Sequence, residues 1–236
     1  MRKLILPLVM AAFVSACASY TTPGAGVSLA GIQDADLAEI YARKPEAQFP
    51  ARLALARVAS PRHGSGYGTG RFSLMTARDI ETEADIERLN TLPQLAALAP
   101  LTRLLIPGEL NDIRALRNMA AQTQADLLLV YTVDTVFRTE KTQLGPLQTI
   151  GLGFFPTNKA MVTSTVSFII VDVRSGYLYG AGETTASEDQ RSNVWGNEDA
   201  IERARTRAES RAFTESVTEV QTLWNQILAQ HNRPSA

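Results

Sequence analysis

Ala125-Asp-Leu-Leu-Leu-Val-Tyr-Thr-Val-Asp-Thr-Val136 is the stretch on which the fold turns. It opens with an unbroken apolar run and then alternates, which predicts a central strand covered on both faces. Downstream, residues 160–173 (AMVTSTVSFIIVDV) and 177–187 (YLYGAGETTAS) read as two further strands. Ser175-Gly176 lies between them, and a two-residue connection ending in glycine predicts a hairpin. From about Glu198 to Gln230 the apolar positions Ile201, Ala204, Ala208, Ala212, Phe213, Val217, Val220, Trp224, Ile227 and Leu228 form one helical stripe. Its small first half suits close packing on a sheet, with assembly against a partner as the alternative. Asn197 is placed to cap this helix, and Glu198 and Asp199 suit the positive end of its dipole.

Upstream of the central strand, Ile113, Leu116 and Ala120 mark an amphipathic helix within 109–124. Pro93, Pro100 and Pro107 break the stretch before it, where Leu104-Leu105-Ile106 is expected as a short strand or a buried connector. Residues 79–92 read as a helix, 71–76 and 51–59 as strands, and 34–44 as a short helix bearing Leu37, Ile40 and Tyr41. The expected architecture is a single α/β (α+β) domain over 49–231. It has a mixed, largely antiparallel sheet, packed helices and a long C-terminal helix, followed by a tail at 232–236. No internal repeat is evident.

The N-terminus carries a different message. Arg2 and Lys3 precede an apolar run from Leu4 to Val14 that is too short to span a bilayer, and Val14-Ser15-Ala16-Cys17 follows. This order resembles a bacterial lipoprotein signal: residues 1–16 are removed and Cys17 is acylated. An ordinary signal peptide, or a buried helix with a coincidental cysteine, is the competing account. Residues 17–48 then hold the lipidated cysteine, a Gly/Pro-punctuated tether and the short helix. Cys17 is the only cysteine, so lipidation would leave no disulfide, no cysteine-type zinc site and no cysteine nucleophile. Ala18 in place of aspartate points to the outer membrane, with the domain facing the periplasm.

The net charge of -1 excludes the basic excess of a nucleic-acid binder. The segment His63-Gly-Ser-Gly-Tyr67-Gly-Thr-Gly70 has alternating glycines but no Walker lysine, and a strand rather than a helix follows it. It reads as a mobile loop whose Tyr67, with Arg71, could grip a peptide or glycan. His63 and His231 are the only histidines, so a histidine-rich metal site is excluded and a serine triad has no nucleophile elbow. Asp79, Glu81, Glu83 and Asp85 cluster where a helix start favours acids. Asp134 is expected either to pair with an arginine or to sit where its strand emerges. Glu183 and Asp189 suit solvent-facing positions. No cofactor is implied. Ile150, Leu152, Phe154 and Phe155, in a glycine-flanked excursion, either face a partner or the membrane surface, or cap the core.

Three stretches together resemble a known group: Ala125 to Asp134 after a helix, Gly151-Leu-Gly-Phe-Phe-Pro156, and Val171-Asp-Val-Arg-Ser-Gly-Tyr177. Over residues 105–230 this order is similar to bacterial lipoproteins of the rhombotarget type. It more distantly resembles the periplasmic α/β domain of the curli-secretion lipoprotein and of penicillin-binding-protein activators. The resemblance implies a helix, an alanine-aspartate strand and an Asp-x-Arg-Ser-Gly hairpin, and it carries over no catalytic residue. The chain departs from these families in its polar tail and in having one excursion only, which speaks against a secretion channel.

The functional expectation is a non-enzymatic, lipid-anchored domain that binds an unidentified envelope protein. An oligomeric part of an outer-membrane secretion or export assembly is the alternative, and an envelope hydrolase a further one.

Overall fold

In the computed structural model, residues 37–61, 69–76, 78–106, 108–141, 158–192 and 197–232 are described. The segment quoted first becomes β6 (Leu127–Lys141). Its neighbours are β1 (Ala51–Ala59) on one side and β7 (Asn158–Asp172) on the other, and β8 (Leu178–Ser192) lies beyond β7. The outer edge of β1 is shared. Its first half pairs with β4 (Leu95–Pro100) and its end with β3 (Ser73–Met75). β1 runs parallel to β4 and β6, while the pairs β1–β3, β6–β7 and β7–β8 are antiparallel. A two-residue ribbon joins β2 (Thr69–Gly70) to β5 (Glu109–Leu110). The expected mixed α/β domain is therefore present, with six strands in the main sheet.

Alternation of side chains sorts the core onto the two sheet faces. One face presents Leu53, Leu55, Leu127, Leu129 and Tyr131 to α2 (Glu83–Asn90) and to α4 (Asn197–His231). The other presents Ala54, Ala56, Leu128 and Val130 to α3 (Ile113–Gln122). Leu127 to Val130 thus meet helices on both sides, as the unbroken apolar run requires. On α4, Ala204, Ala208 and Ala212 are fully buried, so the helix does lie close to the sheet. Trp224 anchors its far end: Nε1 donates to the Pro93 carbonyl at 2.8 Å, and the ring meets Phe49 edge-on at 5.8 Å. α1 (Leu37–Ala42) packs little, because Leu37 and Tyr41 are exposed and Ile40 is only half-buried.

Two readings need correction. The proline-punctuated stretch contains β4 at Leu95–Pro100, while Arg103–Leu105 is one turn of 3-10 helix. Pro100 is tolerated because it is the last residue of an edge strand, where the missing N–H leaves no ladder bond unmade. The β7–β8 connection is also longer than two residues. Asp172 N donates to Tyr177 O at 2.8 Å and brackets four residues between them. The buried Asp172 carboxylate organises this turn by accepting from Arg174 N and Ser175 N at 2.9 Å each, Glu46 N at 2.7 Å and Tyr179 Oη at 3.2 Å. Gly176 has φ +73, and Arg117 covers the space a Cβ would fill while donating to the Val173 and Arg174 carbonyls.

The acidic cluster also divides by role. Asp85 closes a capping box with Thr82 at the start of α2 and accepts from Thr214 of α4 at 3.0 Å. Asp79 and Glu81 lie before the helix and pair with Arg57, and the Tyr131 hydroxyl donates to Glu81. Burial first, and then the Glu81 charge, hold the Tyr131 hydroxyl well above the ordinary phenol range.

Asp172→Ala leaves four donors without their acceptor, three of them backbone amides, and should lower stability by about 2–4 kcal/mol in urea unfolding, whereas Asp172→Asn loses less. An unchanged midpoint in Asp172→Ala would contradict the role given to this turn. Tyr131 supplies a pH test. Its folded pKa lies above the unfolded value near ~10, so its contribution is complete below that pH and is lost as pH rises above it. Tyr131→Phe should flatten the alkaline fall in stability while costing about 1 kcal/mol at neutral pH. The same alkaline slope in both proteins would remove Tyr131 from that account.

Candidate functional site

β1 follows β6 only to the pair Arg57–Tyr131, after which β6, β7 and β8 continue together as a three-stranded ribbon. Residues 132–141 carry β6 roughly 34 Å past that point at strand spacing. One face of the ribbon is covered by α4. Phe137 and Val162 pack on Ala204 and Ala208. Next to them Thr135 bonds to Ser164 at 3.0 Å and donates to the buried Glu209 at 2.8 Å. Arg205 holds the other Glu209 oxygen at 2.8 Å and pairs with Glu202. Hydrogen bonding to Glu202, with the charge of Glu209, raises the Arg205 pKa above its ordinary value despite the opposing effect of burial. This polar chain fastens helix to ribbon with each partner accounted for, which reads as structural.

The opposite face of the ribbon carries no helix among the described residues. The register sets out its rows: Thr132, Ser167 and Glu183; Asp134, Thr165 and Thr185; Val136, Thr163 and Ser187; Arg138, Met161 and Asp189. Thr163 bonds to Ser187 at 3.0 Å, Thr165 to Thr185 at 2.9 Å, and Ser167 donates to Glu183 at 2.9 Å. These cross-strand pairs hold the hydroxyls in a flat array, since β-branched threonine is stiff and suits a pleated surface. Val136 is 42% exposed and stands among polar neighbours. The result is a pre-ordered plane, half of its row positions hydroxylated, on the far side of the sheet from α4.

Among the proposed site residues, Cys17, Tyr67, Ile150, Leu152, Phe154 and Phe155 lie outside the described residues, as does His63. Arg71 is exposed beside the β2–β5 ribbon, and its backbone N–H donates to Asn111 Oδ1 at 3.1 Å. Asp134, Glu183 and Asp189 all fall on the open face, each in a different row, so no two acids stand directly across from one another. His231 packs against Phe49 with the two rings tilted and their centroids 4.8 Å apart. No group of three or more His, Cys, Asp or Glu among the described residues is arranged to hold a metal ion. A small apolar void of about 10 Å³ under Phe213, lined also by Leu129, Phe168 and Val217, is too small for a ligand. Sequence reading missed the open face itself. Its signal was Thr163-x-Thr165-x-Ser167 beside Thr185-x-Ser187, hydroxyls at the period of a strand.

No protein-family model and no curated protein matches this sequence. Solved structures are similar in places. A provisionally named lipoprotein from Caulobacter crescentus aligns at 21% identity over 44% of this chain and 68% of its own, with a TM-score of 0.28. Protein XCC0632 from Xanthomonas campestris, of family DUF330, aligns at 13% identity over 80% of this chain and 91% of its own, with a TM-score of 0.43. The PelC dodecamer from Paraburkholderia phytofirmans aligns at 12% identity over 84% and 96%, with a TM-score of 0.26. No described helix is long and apolar enough to cross a membrane.

Proposed function

We propose that this chain is a lipid-anchored protein of the bacterial envelope whose α/β domain binds a protein partner and performs no catalysis of its own. The open hydroxyl face of β6–β7–β8 carries the proposal. A sheet face normally buries itself against another layer, and here a meander of three 15-residue strands carries no helix, among the described residues, on the far face of its outer part, from Asp134, Thr165 and Thr185 outward. Its donors and acceptors are fixed in place, so a partner meets a surface that loses little further freedom on binding. The anchor rests on the N-terminal pattern ending at Cys17. Two or three acyl chains there would hold the domain firmly at the membrane, and Ala18 favours the outer one.

A second reading, an oligomeric component of an envelope assembly, is favoured by β8. It is the last strand of the sheet, and its outer edge has no partner strand among the described residues.

Two experiments bear on these readings. A photo-crosslinking side chain at Thr163 or Thr165 should capture one envelope protein in cells, whereas the same group at exposed Asn225 on α4 should not. Equal capture from both positions, or none from the sheet, would remove the open face from consideration. Separately, Cys17→Ser should leave the domain folded but accumulate unprocessed precursor. Retention of native mature mass and membrane partition in that variant would refute lipidation.

A further inference from the structure

The edge of β8 has a second feature beside it. α4 lies over β7 and β8 rather than over the middle of the sheet. Thr184 Oγ1 donates to Ala212 O at 2.7 Å, Arg211 reaches Glu188 at 2.8 Å, and Leu223 covers Gly180. The side of α4 that overhangs β8 therefore carries, in order, Arg207, Arg211, Glu215, Glu219 and Leu223. Arg207, Arg211 and Glu215 have side chains 48%, 58% and 49% exposed, and Glu219 is exposed as well. The row is basic at one end and acidic at the other, with its midpoint beside Thr184.

We infer that β8 pairs antiparallel with β8 of a second copy of this chain about a two-fold axis near Thr184, bringing the two α4 helices side by side. Strands spaced about 4.8 Å apart would put the two α4 axes roughly 10 Å from each other, the ordinary distance of packed helices. The axis sets Arg207 and Arg211 of each copy against Glu219 and Glu215 of the other. In-register pairing about Thr184 sets Glu183 opposite Thr185 and Glu188 opposite Gly180, so no two acids of β8 face one another. About Thr185 the partners are Ser187 and Gly182, with the same result. The interface is self-complementary and closes at two copies. Head-to-tail pairing of β8 with β6 beyond Tyr131 would instead be heterologous and would continue past two copies. This inference deepens the oligomer reading and depends neither on lipidation nor on the open face.

The test uses the chain from residue 17 onward with Cys17→Ser, which keeps every described residue and removes the question of the anchor. Light scattering should give twice the chain mass. Arg207→Glu with Arg211→Glu, and separately Glu215→Arg with Glu219→Arg, should each weaken self-association by about tenfold or more through like-charge contact. An equimolar mixture of the two variants should dimerise again, which a merely structural role for these residues cannot produce. Amide exchange on the native chain is independent of whether the variants fold. Amides of residues 180–188 should gain protection as concentration rises through the dimerisation range. A native chain that stays monomeric, a dimer that survives both reversals, assemblies larger than two, or β8 amides indifferent to concentration would each overturn the inference.

Discussion

The long helix α4 and the three long strands beneath it depend on each other. Thirty-five helical residues span about 52 Å and a strand of fifteen about 50 Å, so helix and ribbon match in length. Among the described residues, a three-stranded meander of that size has no element besides α4 on either face over its outer half. It is held flat against α4 by alanines on the helix side and by Gly180 and Gly182 on the strand side. Leu223 and the Phe168 ring occupy the space those glycines leave. Close approach of backbone to backbone is what lets so slender an extension bury a continuous core.

Around that contact the polar groups have been placed to fix position more than to do chemistry. Asp172 gathers the turn, the segment before β1 and Tyr179. Asp85 and Arg88 join α2 to α4, Arg88 through Thr218 at 2.8 Å and Gln221 at 2.9 Å. Glu81 joins β1 to β6 through Arg57 and Tyr131, and Glu209 joins α4 to the ribbon. No buried side-chain nitrogen or oxygen among the described residues lacks a hydrogen-bond partner. Buried carboxylates so fully bonded rigidify a fold, because leaving any one acceptor or donor unmet is costly. Among the described residues, the face and the outer edge of the same ribbon differ in chemistry: the face presents hydroxyls, whereas the edge presents main-chain groups.

The amino-acid sequence by itself determined which segments become the long strands and helices. The apolar run from Leu127, the alternation that follows, and the small-then-large stripe of α4 are one-dimensional patterns, and local geometry reads them directly. β1 appeared with the bounds its alternation suggests, Ala51–Ala59. β4 escaped, because it owes its form to the edge of β1 and not to its own proline-bounded residues. The turn after β7 likewise takes its length from Asp172, whose partners are distant in the chain. Only the tertiary structure decided which face of the ribbon α4 covers, and hence that Thr163, Thr165, Thr185 and Ser187 look outward together. It also decided that α4 sits toward β8. A strand's period says that its two faces differ; which one meets a helix depends on where that helix can pack, and that is fixed by contacts across the whole chain.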